Sequence, residues 1–245
     1  MTKKNIEKLE NEIKNLNAQE TLIYIYEKFK DKVVIASSLG AEDQVITDMA
    51  IKVSKKFKIF TLDTGRLPQE TYDLIEETNK RYKIKIRIYF PEKKEVEKIV
   101  NEHGPNLFYE SIEKRKMCCQ IRKVDVLKMV LKNYNVWITG LRQEQSITRQ
   151  NIKKIEWDNN FNLIKINPIF DWKTEDIWDY IKKYKVPYNK LHDKNYPSIG
   201  CAPCTRAIDK GEDIRSGRWW WEQPEQKECG IHIKDGKVIR IKEEE

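Results

Sequence analysis

The chain has 245 residues, 39% hydrophobic and 35% charged, enough for one sizeable core and too polar for a string of membrane spans. No run approaches the roughly 20 consecutive apolar residues of a spanning helix, and the opening Met1-Thr2-Lys3-Lys4-Asn5-Ile6-Glu7-Lys8 lacks an apolar signal-peptide core, so a cytoplasmic protein is expected. The net charge of +8, from 47 basic and 39 acidic residues, favours anionic partners; because the lysines are scattered among glutamates, a small phosphorylated or sulfated substrate is favoured over nucleic acid.

Ile6, Leu9, Ile13 and Leu16 recur at helical spacing and predict an amphipathic helix over 3–17; Leu22, Ile25, Tyr26 and Phe29 mark a second. The pattern then alternates. Short apolar runs at 32–36, 58–62, 84–89 and 136–139 read as buried strands, and the first three are each followed by a turn and then by helical spacing. Pro68 is placed to open the helix that carries Tyr72, Leu74, Ile75 and Thr78, and His103-Gly104-Pro105 stops the helix over 92–102. This rhythm predicts an α/β fold, a parallel twisted sheet with flanking helices and right-handed crossovers. After Gly140 a hairpin is expected across Asp158-Asn159-Asn160, then a helix capped by Thr174 and running to about Tyr184. Residues 186–224 are rich in Pro, Gly, Trp and Cys with weak periodicity, so tertiary contacts or a metal must order them. Asp235-Gly236 predicts a closing hairpin. The expected organisation is one α/β domain over 1–225 and a C-terminal tail over 226–245.

In an open parallel sheet, ligands bind beyond the carboxyl ends of the strands. Three loops fall there. The loop over 37–43 offers the Ser37 and Ser38 hydroxyls, Gly40 for close backbone approach, and the N–H groups of a helix start. The loop over 63–68 brings Arg66. The loop over 140–149 brings Arg142, Gln145 and Arg149. Arg215 and Arg218 add cations from the irregular segment, and at least two of Trp219, Trp220 and Trp221 are expected in the core. Together these loops predict a bound nucleotide.

The cysteines fall as Cys118-Cys119, Cys201 and Cys204, and Cys229 alone. In a reducing compartment cysteines are more often metal-binding or catalytic than bridged. Four thiolates suit zinc or an iron–sulfur cluster. A single tetrahedral ion is usually gripped by cysteines two to four residues apart. Adjacent side chains on a helix diverge by about 100°, which a cluster presenting a different iron to each sulfur tolerates better. Cys229 is left over, beside Gly230 and near His232, on a tail outside the expected core, and a thiolate there could serve as a nucleophile.

Seven blocks in order resemble the cluster-containing branch of the assimilatory phosphosulfate reductases, the adenosine 5′-phosphosulfate (APS) reductases. They are Ser37-Ser38-Leu39-Gly40-Ala41-Glu42-Asp43; Leu62-Asp63-Thr64-Gly65-Arg66-Leu67; Cys118-Cys119 with Arg122-Lys123; Gly140-Leu141-Arg142 with Gln145 and Arg149; Cys201-Ala202-Pro203-Cys204; Gly217-Arg218-Trp219-Trp220-Trp221-Glu222; and Glu228-Cys229-Gly230-Ile231-His232. The resemblance implies an adenine-nucleotide α-hydrolase-like fold and a [4Fe-4S] cluster on Cys118, Cys119, Cys201 and Cys204. It also implies that Cys229 attacks the substrate sulfur, that AMP leaves, and that a thioredoxin or glutaredoxin-type dithiol releases sulfite. Substrate contacts are then expected from Ser37, Ser38, Gly40, Arg66, Lys123, Arg142, Gln145, Arg149, Arg215, Arg218 and His232. The first loop departs from the Ser-Gly-Gly-x-Asp-Ser phosphate loop of ATP pyrophosphatases, which favours a shorter anion. The 3′-phosphorylated substrate (PAPS) stays open as an alternative, as does the oligomeric state. From another class, a zinc-stabilised nucleotide- or RNA-binding module of the tRNA-thiolation kind is the rival.

Overall fold

The computed structural model describes residues 5–146 and 149–223. The predicted closing hairpin, Cys229 and His232 lie outside the described residues. Six strands form one sheet in the order β3-β2-β1-β4-β6-β5: β1 Val33–Ala36, β2 Lys58–Leu62, β3 Arg87–Tyr89, β4 Val136–Ile138, β5 Ile155–Asp158 and β6 Leu163–Ile166. All neighbours are parallel except β5 on β6. Ile35 pairs with Ile59 on one side and with Ile138 on the other, and Ile138 pairs with Ile166.

Because successive strand residues point to opposite faces, the continuous apolar runs serve two cores. Ile35, Ile59, Ile138, Ile164 and Ile166 bury into a large cluster with α1 (Asn5–Ile13), α2 (Ala18–Phe29), α3 (Ala41–Val53), α4 (Gln69–Tyr82) and α8 (Thr174–Tyr184). Val34, Phe60, Trp137 and Leu163 face the other way, onto Leu127, Val130 and Leu131 of α7 (Asp125–Leu131). Among the described residues the remaining α-helices are α5 (Lys93–His103) and α6 (Ile112–Cys119).

Several boundaries differ from the sequence expectation for local reasons. The first helix ends at Ile13 rather than 17, because Asn17 starts α2 with a capping box: its side chain accepts from the Glu20 N–H and the Glu20 carboxylate accepts from the Asn17 N–H. The third strand begins only at Arg87; Lys83 turns left-handed, and Asn79 takes the N–H of Ile84 on its carbonyl and that of Ile86 on its side chain. Thr174 is the first residue of α8 rather than its cap, and both its N–H and hydroxyl donate to Glu144. The expected hairpin is β5–β6, and its β6 is wholly buried and joins the sheet beside β4. No described helix is long and apolar enough to cross a membrane.

Candidate active site

The strand order runs outward from β1 to β2 and β3 on one side and to β4 on the other, so the topological switch lies between β1 and β4. A cleft of about 250 Å³ opens at that point, beyond the carboxyl ends of β1, β2 and β4. Ser37, Ser38 and Gly40 form one wall, Thr139, Gly140, Gln145 and Arg149 another, and Lys123, Arg215, Arg218 and Trp219 close it from the side.

The first loop is held from behind by its own helix. Asp43 accepts from the Ser38 N–H at 2.6 Å and from its hydroxyl at 2.7 Å, and the Ser37 hydroxyl accepts the N–H of Leu39, a buried residue at φ 62°. Burial pushes the Asp43 carboxyl up to about 6 and neighbouring Glu42 pushes the same way, while the Ser38 hydrogen bonds oppose the shift. Gly140 lets β4 run tight against this helix start: a Cβ there would stand 2.5 Å from Asp43 Oδ1.

Arg142 and Arg66, both expected at the substrate, are not among the cleft-lining residues. Arg142 is buried on Glu42, with Nη2 to Oε1 at 2.8 Å, and also donates to Glu144 and to the Trp172 carbonyl. Burial drives the Glu42 carboxyl up, but the Arg142 guanidinium and the Gln145 amide outweigh it and leave it lowered. This guanidinium is therefore engaged internally and braces the loop. Arg66 lies over the Phe108 ring at 5.0 Å and donates to the Pro105 carbonyl and to Asn106, which aims it at the cysteines instead.

Beside the cleft, Cys118, Cys119, Cys201 and Cys204 line one small cavity, with Arg66, Arg115, Arg122, Lys123, Arg218 and Trp219 around it. Two local devices bring the pairs together. Cys118 and Cys119 end α6, and the helix continues through a π-turn over Gln120–Val124 into α7. Such widened turns re-aim side chains and recur at functional sites. The other pair sits on a 3₁₀ turn, Ala202–Cys204, held by the Ala202 N–H on the Arg66 carbonyl and by the Trp219 N–H on the Cys204 carbonyl. Thr64 Oγ1 lies 3.2 Å from Cys201 Sγ, and Arg122 Nη1 donates to the Thr64 carbonyl at 2.6 Å.

Burial raises the Cys118 thiol, against the nearby Arg122 and Lys123. Burial, with Cys201 adding to it, pushes Cys204 up to about 12, and Lys123 and Arg218 pull it back. Among the described residues no three Cys, His, Asp or Glu side chains close on a single metal ion. The four thiols share the lining of that one cavity.

Lys123, Arg218 and Trp219 line both the cleft and the cysteine cavity. Arg218 is buried over the Trp219 ring at 4.6 Å and donates to the Ile199 carbonyl. It fits only because residue 200 is glycine: a Cβ there would lie 2.2 Å from its guanidinium nitrogen. Of the three tryptophans only Trp219 is fully buried, at 1% exposure, fewer than the two expected; Trp221 is half-buried and Trp220 exposed.

The sequence reading gave no role to Arg115, Glu222, Thr64 or His192, although Thr64 and Glu222 stand in blocks that it singled out. Arg115 and Glu222 form a fully buried two-pronged pair, at 2.9 and 2.6 Å, that pins the 219–222 segment to α6. Arg115 stands four residues before Cys119 on a helix and Arg122 three after it, so helical spacing could have put both beside that thiol. His192 lines the cleft, and burial lowers it toward the neutral form. Its position in the irregular segment carried no signal.

This architecture is an α/β fold of the adenine-nucleotide α-hydrolase-like kind, with a cleft at its topological switch point, and comparison with known proteins agrees. The chain resembles yeast FAD synthetase in fold alone, with a TM-score of 0.55, 13% identity, and coverage of 84% of this chain and 70% of that one. The solved phosphoadenylyl-sulfate (PAPS) reductase of Candida auris, a phosphate complex, superposes with a TM-score of 0.72 and 27% identity over 85% of this chain and 98% of that one. The phosphoadenosine phosphosulfate reductase domain matches residues 32–207. The chain belongs to that family. Relatives called adenosine 5′-phosphosulfate reductase include those of Allochromatium vinosum, 49% identical over 84% of this chain and 80% of its own, and Burkholderia cepacia, 49% identical over 83% and 81%.

Proposed function

We propose that the protein is a thiol-dependent APS reductase, forming sulfite and AMP through an S-sulfonated cysteine. The observation that carries this reading is the shared wall: Lys123 and Arg218 border both a cleft at the nucleotide position of the sheet and a cavity of four thiols. The APS reductase relatives favour APS over PAPS as substrate, and the family match weighs against the zinc-stabilised RNA module.

The loop over 37–43 would take the nucleotide's anionic end on serine hydroxyls and backbone N–H groups. Lys123, Arg149, Arg215 and Arg218 would offset the charge of the phosphosulfate, which otherwise repels an incoming thiolate. The Cys229 thiolate then attacks the sulfur. The S–O bond to the phosphate breaks, its electron pair leaves with AMP, and the sulfonate stays on Cys229. A dithiol protein supplies the two electrons that release sulfite. His232 stands three residues from this thiol in sequence, and its contact with substrate is part of the same proposal.

Cys118, Cys119, Cys201 and Cys204 would hold a [4Fe-4S] cluster. Their donor set fits: four thiols lining one cavity, ringed by guanidinium groups, suit a core whose irons each take one sulfur better than they suit a lone zinc. When bound, the cluster supplies structural anchoring and a local electrostatic field. The test is anaerobic sulfite release from APS and from PAPS with a thioredoxin, for the native chain and Cys229→Ser. Release from APS that vanishes in the variant is expected; retained turnover in Cys229→Ser overturns the nucleophile assignment.

A further inference from the structure

Phe108, Tyr109, Trp220 and Trp221 form one aromatic shelf on the outside of the cysteine corner. Trp221 packs on Tyr109 at 4.4 Å, on Trp220 at 4.7 Å and on Phe108 at 6.2 Å between ring centroids. Phe108 is its buried root, while Tyr109 is 43% and Trp220 38% exposed. Tyr109, Trp220 and Trp221 line neither the cleft nor the cysteine cavity. The shelf is mounted rigidly. The Tyr109 hydroxyl donates to the Pro203 carbonyl at 2.7 Å, between Cys201 and Cys204, and the buried Arg115–Glu222 pair clamps the residue next to Trp221. Exposed aromatic rings that are already held in place lose little entropy on burial, which is why Trp and Tyr dominate interface hot spots.

Its occupant is indicated by how few residues separate Trp221 from Cys229. Gln223 is two residues past Trp221, and Cys229 is six residues further. At roughly 3.3–3.6 Å per residue, no conformation can carry Cys229 more than about 20 Å from Gln223. A partner seated on the shelf therefore stands within reach of that sulfur. We infer that the shelf is the docking face for the protein dithiol that regenerates Cys229. This rests on the proposed S-sulfocysteine reading. In that step a partner thiolate attacks the Cys229 sulfur, the bond to the sulfonate breaks, and sulfite leaves with the electron pair. The second partner thiol, deprotonated, then resolves the mixed disulfide, leaving the partner oxidised and Cys229 a thiolate.

Trp220→Ala tests this, with a thioredoxin as protein reductant and dithiothreitol as one that needs no docking. The KM for thioredoxin is expected to rise roughly ten-fold or more. AMP release in a single turnover without reductant, dithiothreitol-driven sulfite release and the thermal midpoint should stay at native values, and Trp220→Phe should restore most of the loss. A thioredoxin KM within about two-fold of native overturns the inference, as does a parallel fall in all the readouts, which would make Trp220 part of the fold or the site. A dimer that Trp220→Ala dissociates, with the thioredoxin KM unchanged, would assign the shelf to a second copy and also overturn it. If native enzyme forms no S-sulfonate from APS, the functional reading falls and the docking inference with it; if it does and only the KM is unmoved, the docking inference falls alone.

Discussion

The sheet and the cysteine corner are built on opposite principles. In the sheet, Val34, Phe60 and Trp137 alternate with Ile35, Ile59 and Ile138 between two apolar cores, so each strand is specified by its own few residues. In the corner, residues 186–223 form short 3₁₀ turns and an isolated bridge, Thr205 to Arg218, stabilised by long-range contacts. The corner buries charge as well: Arg115, Arg122, Arg218 and Glu222 are all below 9% exposure. A hydrophobic core tolerates loss piecemeal, whereas a buried polar network depends on every member being satisfied. The two constructions meet at Lys123 and Arg218, which line both the cleft and the cysteine cavity.

Substitutions in the corner should therefore act differently from those at the sheet edge. The largest effect is expected from Cys204→Ser: iron content should fall below half and sulfite release by roughly 100-fold, while amide exchange in β1 and β4 stays slow; uniform loss of protection would erase the contrast. Next is Glu222→Ala, which takes the two-pronged carboxylate away from the buried Arg115 guanidinium. It should lower stability by about 3–5 kcal/mol in denaturant titration, far beyond an exposed ion pair such as Lys93–Glu97. Gly200→Ala comes third: the added methyl displaces Arg218, and kcat/KM for APS should drop about ten-fold with only a small change in thermal midpoint. At the sheet edge the effect is of another kind, a dependence of stability on pH. Asp43, at about 6 in the folded chain, is raised above its ordinary value, so its contribution is fully present below about pH 4 and is lost as pH rises through 6. Asp43→Asn should remove that slope, so native stability should fall by roughly 2 kcal/mol relative to the variant between pH 4 and 7. An unchanged slope would show that another group carries it.

The strands and most helices were legible because their signals are local. The run over 58–62 is β2 to the residue, and Glu175 and Asp176 marked the start of α8. The grouping of the four cysteines was legible as chemistry, through the number and pairing of thiols. Arg142 was misplaced because sequence shows a cation and not its partner: Glu42 lies 100 residues away and claims it. Which of the three adjacent tryptophans is buried was not legible, because they look alike until the Arg115–Glu222 clamp fixes the segment. The π-turn after Cys119 left no trace in composition, since its residues suit an ordinary helix equally well.

The amino-acid sequence by itself determined the alternating strands and helices, the anion-ready loop after β1 and the presence of a four-thiol set, because each depends on residues close in the chain. Only the tertiary structure decided which arginines face the cleft, that Lys123 and Arg218 belong to both cavities, and that an aromatic shelf stays exposed beside them. Those outcomes depend on pairings across 100 residues or more, Arg142 with Glu42 and Arg115 with Glu222, and a buried charge takes whichever partner the fold brings within reach.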